Sequence, residues 1–188
     1  MSKKYPHIQK QYPFDEEKKA YLIEVSLDDF DDVYDEWDPV PFKKRFIQDE
    51  FDEFIVESAE DIPLEFNLII VLYLPKEKKD PIKEIAVDAA YRNYYSYELD
   101  KIEKKKARLK KRDLRYLFAA FTFLTIGYFL QLGWDNIALE VIIEGIFIVG
   151  WVFLWEFLTN IFIIRWELIG EHKAYKRIYE SPIKYIYI

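Results

Sequence analysis

The chain has 188 residues, with 27 basic and 34 acidic side chains, a formal net charge of -7 and no cysteine. That length suits one small domain plus a further region. The acidic balance argues against nucleic acid as a partner, because phosphate binding needs a basic face, and the lack of cysteine excludes disulfides and thiolate chemistry.

The mean hydropathy of -0.19 averages over unlike segments. Residues 1–80 carry 11 basic and 21 acidic groups, residues 81–115 carry 11 and 6, residues 116–164 carry none and 4, and residues 165–188 carry 5 and 3.

Residues 1–20 read as an N-terminal tail; the opening Met1-Ser-Lys-Lys-Tyr-Pro-His lacks the apolar stretch of a signal peptide. Tyr21 to Leu27 is apolar, β-branched and bounded by charge, which predicts a strand. An acidic run follows, with Asp28, Asp29, Asp31, Asp32, Asp35, Glu36 and Asp38 inside eleven residues. It lacks the glycine and the terminal glutamate of a calcium-binding EF-hand loop, so it reads first as a solvated loop, with a loose divalent-cation site or a docking patch for a basic partner as the alternatives. From Phe42 to Ile55 the apolar residues recur at helical spacing. Phe66 to Leu74 is a nearly unbroken apolar run, as expected of a strand covered on both faces. Strand, helix, strand in that order predicts parallel pairing.

Asp80-Pro81 is a helix start, and no glycine or proline occurs from Ile82 to Ile126. One long helix is therefore expected to run from the domain into an uncharged stretch, Tyr116 to Trp134, long enough to cross a hydrocarbon core of about 30 Å. Residues 135–140 form a turn, with Asn136 placed to cap the next helix, and Val141 to Ile164 is a second apolar stretch. Nine basic residues lie between Lys101 and Arg115, more follow from Arg165, and the turn has none. Basic flanks stay in the cytoplasm, so both termini are expected inside and the turn outside, in a multi-pass protein of the cell membrane. Past the second span a helix to Glu180 is expected. Ser181-Pro182 ends it, and Ile183 to Ile188 reads as a last strand beside Phe66–Leu74.

The fold class read from the sequence is thus a membrane α-helical hairpin plus a small cytoplasmic α/β domain, with about three strands (21–27, 66–74, 183–188) and two or three helices. Its parts are the tail 1–20, the domain with its polybasic juxtamembrane helix 21–115, spans 116–134 and 141–164 joined by the turn 135–140, and a cytoplasmic helix and strand 165–188.

The chemistry-bearing patterns are few. All five glycines lie at or beyond position 127, so a glycine loop that cradles phosphate is not expected in the domain before the membrane. His7 and His172 have no ligand cluster around them, and no cofactor is implied. Lys104, Lys105, Lys106, Arg108, Lys110, Lys111, Arg112 and Arg115 fix topology and are candidate contacts for anionic lipid. Glu144 and Glu156 interrupt the second span. A buried acid costs roughly 2.5–3.5 kcal/mol on insertion scales, so Glu156 is expected to pair with Arg112, Arg115 or Tyr116, or to meet another copy in a homo-oligomer.

The segment Asp38-Pro-Val-Pro-Phe42, the helix and apolar strand after it, the basic helix, Gly150-Trp-Val-Phe-Leu-Trp155 and the Tyr-Lys-Arg-Ile-Tyr tail occur in an order that resembles a family of uncharacterised prokaryotic two-span membrane proteins. The resemblance covers most of residues 21–188 and implies the same architecture without an activity. The leading expectation is a non-catalytic, membrane-anchored interaction or scaffold module. The alternatives are a subunit of a small oligomeric channel or transporter with Glu156 in the membrane, and a membrane-associated enzyme.

Overall fold

In the computed structural model, residues 8–34, 47–132 and 137–188 are described here, the side chain of Gln9 excepted. The chain packs as two units, residues 1–100 with 171–188, and residues 101–170.

The first unit is built on a four-stranded sheet in the order β1-β2-β3-β4. A one-turn helix α1 (Ile8–Gln11) precedes β1 (Phe14–Asp15), which pairs antiparallel with β2 (Ala20–Ser26). The turn between them is set by the Asp15 carboxylate, which accepts from the backbone N–H groups of Glu17 and Lys18, both at 3.0 Å, and by Lys19 in the left-handed region at φ 50°. Helix α2 (Asp49–Asp61) leads to β3 (Asn67–Leu74), which pairs parallel with β2 in the register Ile23 to Ile70. The last strand, β4 (Ile183–Tyr187), lies parallel on the far side of β3, with Ile183 opposite Ile70 and Tyr185 opposite Leu72. β3 is therefore central, as its unbroken apolar run requires, and the C-terminal segment supplies its second neighbour.

Alternate residues of the strands face one core. Tyr21 and Ile23 of β2 and Leu68, Ile70, Leu72 and Leu74 of β3 pack with Ile55 and Ala59 of α2. Val87, Ala90, Tyr91 and Tyr95, from the first turns of a helix α3 (Pro81–Gln131), join them, with Ile178 from a helix α5 (Arg165–Glu180). Arg177 ties the layers together by donating to four backbone carbonyls: Ala59, Ile62 (2.9 Å), Pro63 (2.8 Å) and Phe66 (3.3 Å). Those carbonyls close the C-terminal end of α2, where a helix leaves acceptors unmet and a cation is favoured. Tyr91 donates to the Ile178 carbonyl at 3.0 Å, and Arg92 to that of Ser181 at 2.9 Å, where α5 stops.

The sequence reading differs in three places. The helix expected from Phe42 begins at Asp49 among the described residues, and Ile47 forms an antiparallel bridge with Tyr34 instead; Phe42 to Phe46 lie outside the described residues. Asp49, Glu50 and Asp52 fill the first turn, where acids complement the helix dipole. The first half of the acidic run is not a free loop: Phe30–Val33 form a 3-10 turn with Phe30, Val33 and Tyr34 fully buried. β1 is a strand of two residues, too short to leave a sequence pattern.

The second unit is an antiparallel helix pair made by α3 from Lys101 onward and α4 (Ile137–Thr159), which continues through a π-helical turn, Asn160–Ile164, into α5. The helices touch through small residues. A Cβ on Gly150 would meet the Leu124 side chain at 2.8 Å, and one on Gly127 would meet Phe147 at 3.2 Å. Ala120 is 1% exposed, whereas Phe118 is 74%, Trp151 61% and Trp155 72%. A hairpin with glycine and alanine inside and large aromatics outside inverts the pattern of a water-soluble pair and matches helices packed in lipid. Both helices are long and apolar enough to cross a membrane. Only 17% and 11% of their most apolar stretches is buried.

Candidate functional site

The candidate functional residues fall into three groups, one in the first unit and two in the second.

The acidic group lies just past the carboxyl ends of β2 and β3. Asp29 caps the 3-10 turn by accepting from the Phe30 N–H at 2.6 Å, and Asp32 accepts from the N–H groups of Asp28 (2.8 Å) and Asp29 (2.9 Å). Asp29 also pairs with Lys78 and, at 3.3 Å, with Lys83, which lies 3.8 Å from Asp31. The hydrogen bond from Lys78 is the main cause that holds the Asp29 carboxyl down to about 2. Its folded value lies below its ordinary one, so its contribution to stability is present above pH 4 and is lost as the pH falls toward 2. Two of the four described acids, Asp29 and Asp32, are thus committed to the turn; Asp28, Asp31 and Asp32 are exposed. Asp35, Glu36 and Asp38 lie outside the described residues.

In the core of the same unit, Tyr91, Tyr94, Tyr95 and Tyr175 form a set of ring contacts at 4.6, 5.2 and 6.1 Å. Burial is the first cause that pushes all four phenols up, so they stay protonated. Tyr94 donates to Asp52 at 3.1 Å, and burial raises that carboxyl. A groove of about 330 Å³ lined by Lys18, Asn67, Arg177 and Ser181 sits at the amino ends of the parallel strands, away from the carboxyl ends where open α/β sheets place ligands. Its arginine is already engaged by the four carbonyls.

The second group is a polar knot in the hairpin. Arg112 donates through Nη2 to Asn160 Oδ1 at 2.7 Å and lies over the Tyr116 ring at 5.8 Å. Asp113, 2% exposed, takes Arg165 at 3.3 Å. Asn160 is 1% exposed and opens the π-helical turn, a distortion common at functional positions. This corrects the expected partner of Glu156. Tyr116 meets Phe153, at 5.9 Å between ring centroids, and Arg112 meets Asn160, so the seam runs along 150, 153 and 160. Glu156 falls beside it, half-buried and without an ion pair or hydrogen bond among the described residues. Glu144 is exposed, as are Lys104, Lys105, Arg108, Lys111 and Arg115. Asn136, expected as a cap, and Trp134 lie outside the described residues.

The third group adjoins the knot. Lys106, Leu109 and Lys110 of α3 and Arg165, Leu168 and Ile169 of α5 line a groove of about 320 Å³. Lys106 pairs with Glu103 at 2.8 Å, and Lys110 has no partner among the described residues. Asp113 and Asn160 carry the knot and were not expected from sequence. Asp113 does leave a trace: it is the one acid between Lys104 and Arg115. Among the described residues, no three His, Cys, Asp or Glu side chains converge as a metal site. No protein-family profile matches the chain, and no curated protein or solved structure matches it either.

Proposed function

We propose that this chain is a two-span membrane protein, with both termini in the cytoplasm, that anchors its α/β unit there as a non-catalytic interaction module. The observation that carries the reading is the inverted hairpin: Gly127, Gly150 and Ala120 inside, Phe118, Trp151 and Trp155 outside. Orientation follows from the basic residues at both flanks and their absence from 116 to 164. The partner surface of the module is the rim at the carboxyl ends of the strands, where Asp28 and Asp31 are exposed. Its partner is a basic protein segment.

The chain has no cysteine, so single cysteines report topology directly. Ser96→Cys and Lys184→Cys are expected to react with a membrane-impermeant maleimide only after the cells are opened, and Glu140→Cys in intact cells. Labelling of Ser96→Cys in intact cells would reverse the orientation. Recovery of the whole protein in the soluble fraction after alkaline carbonate would remove the membrane reading.

One observation favours a second reading, an oligomeric channel or transporter subunit: Glu156 is half-buried in an apolar helix without a partner among the described residues. An acid in such a place seeks a companion in a neighbouring copy or lines an aqueous path. A stable monomer in native mass spectra from mild detergent rules this out.

A further inference from the structure

We propose that the groove between α3 and α5 is a binding site for one anionic phospholipid, which grips the headgroup phosphate through Lys110, Lys106 and Arg165 and lays the start of its chains on Leu109, Leu168 and Ile169. The proposal rests on the membrane reading above and goes beyond it by selecting a single face of the polybasic helix. Lys106, Leu109, Lys110 and Asp113 are spaced by three and four residues and share one face of α3. Lys104, Arg108, Lys111 and Arg115 are spaced the same way on the opposite face and do not line the groove.

The charge in the groove fits a phosphodiester. Three cations are offset by two carboxylates, Glu103 on Lys106 and Asp113 on Arg165, leaving one positive charge for one phosphate. Asp113 also fixes the guanidinium, so Arg165 presents its other donors in a set direction. The height is right too. Lys110 precedes Tyr116 by six residues, about 9 Å along the helix, which puts its ammonium within reach of the headgroup layer. Arg165 immediately follows the second span. The aliphatic floor is what a free phosphate would not need, and it assigns the ligand to a lipid.

The test uses the full-length protein in nanodiscs of phosphatidylcholine with and without phosphatidylglycerol, followed by native mass spectrometry of retained lipid. One phosphatidylglycerol per chain is expected to be retained over phosphatidylcholine. Lys106→Gln with Lys110→Gln is expected to weaken retention by roughly tenfold or more. Lys104→Gln with Arg108→Gln removes the same charge from the opposite face and is expected to change it less than twofold. Equal losses in the two double variants would mean diffuse attraction and overturn the site. So would displacement of the lipid by glycerol phosphate at equal concentration, since the chains would then contribute nothing. Failure to enter nanodiscs removes the membrane reading and the site with it; entry without preference for phosphatidylglycerol removes the site alone.

Discussion

At the scale of single residues, arginines separate what the two units need. Arg112 and Arg165 each hold a buried polar partner inside the hairpin, while Arg177 holds backbone. The guanidinium suits the last task because its donors point in several fixed directions, whereas a lysine offers one ammonium at the end of a flexible stem. Charge-assisted hydrogen bonds to carbonyls contribute about 1.5–3 kcal/mol. Arg177→Lys keeps the charge at the end of α2 but cannot reach Ala59, Ile62, Pro63 and Phe66 together. It is expected to destabilise the first unit by about 2 kcal/mol, read as a lower urea midpoint of the tyrosine fluorescence transition. An unchanged midpoint would show that the charge alone matters there. None of this could be read from Tyr-Lys-Arg-Ile-Tyr, because the carbonyls lie more than a hundred residues away in sequence. Glu156 shows the opposite error. Its cost is legible in the sequence, but which face of the helix meets the first span is not, and the seam through Gly150, Phe153 and Asn160 leaves Glu156 beside it.

At the scale of elements, the strands and the long helix were legible because their signals are local. Tyr21–Leu27, Phe66–Leu74 and Ile183–Ile188 are apolar runs bounded by charge or proline, and the observed strands differ from them by a residue at either end. Asp80-Pro81 marks the start of α3 where it is found. Elements defined by tertiary contact were not legible. β1 is two residues held by its turn, and the 3-10 turn at Phe30 exists because Phe30 and Val33 are buried under it while Asp29 and Asp32 satisfy its N–H groups. β4 carries the strongest consequence. It covers the second edge of β3 through Ile70, Leu72 and Leu74, and the Ile188 N–H donates to Leu74 at 3.0 Å. Tyr185 and Tyr187 also donate to Glu84 on α3. Without β4, β3 becomes an apolar edge, which is both less protected and prone to pair with other chains. Truncation after Pro182 is expected to speed amide exchange at Leu68–Leu72 by at least tenfold and to promote aggregation. Exchange at the parental rate would mean that β3 does not depend on its C-terminal neighbour.

At the scale of the whole molecule, the chain makes the hairpin an insertion into the connection between β3 and β4. α3 leaves the first unit after Asp100, and α5 rejoins it at Glu171. Among the described residues, the core of the first unit draws on residues 8–95 and 175–187. The two ends to be joined lie in neighbouring elements of one unit, since the rings of Tyr95 and Tyr175 stand 6.1 Å apart. A linker of about eight flexible residues spans roughly 16 Å on average, enough to connect them without strain. Closing a loop that short costs less entropy than closing one of seventy residues. The hydrophobic burial that stabilises the sheet is retained in full, because every core residue named above is kept. A chain of residues 1–100, a Gly-Ser linker and residues 171–188 is therefore expected to be expressed without detergent as a soluble α/β protein. Its amides at Ile23, Ile70 and Leu72 should be protected, and its unfolding should be a single cooperative transition in urea. The same chain should no longer sediment with membranes. Aggregation of this shortened chain, or loss of protection at Ile70, would show that the first unit needs the hairpin for folding as well as for location, and the division of labour between anchor and module would fail.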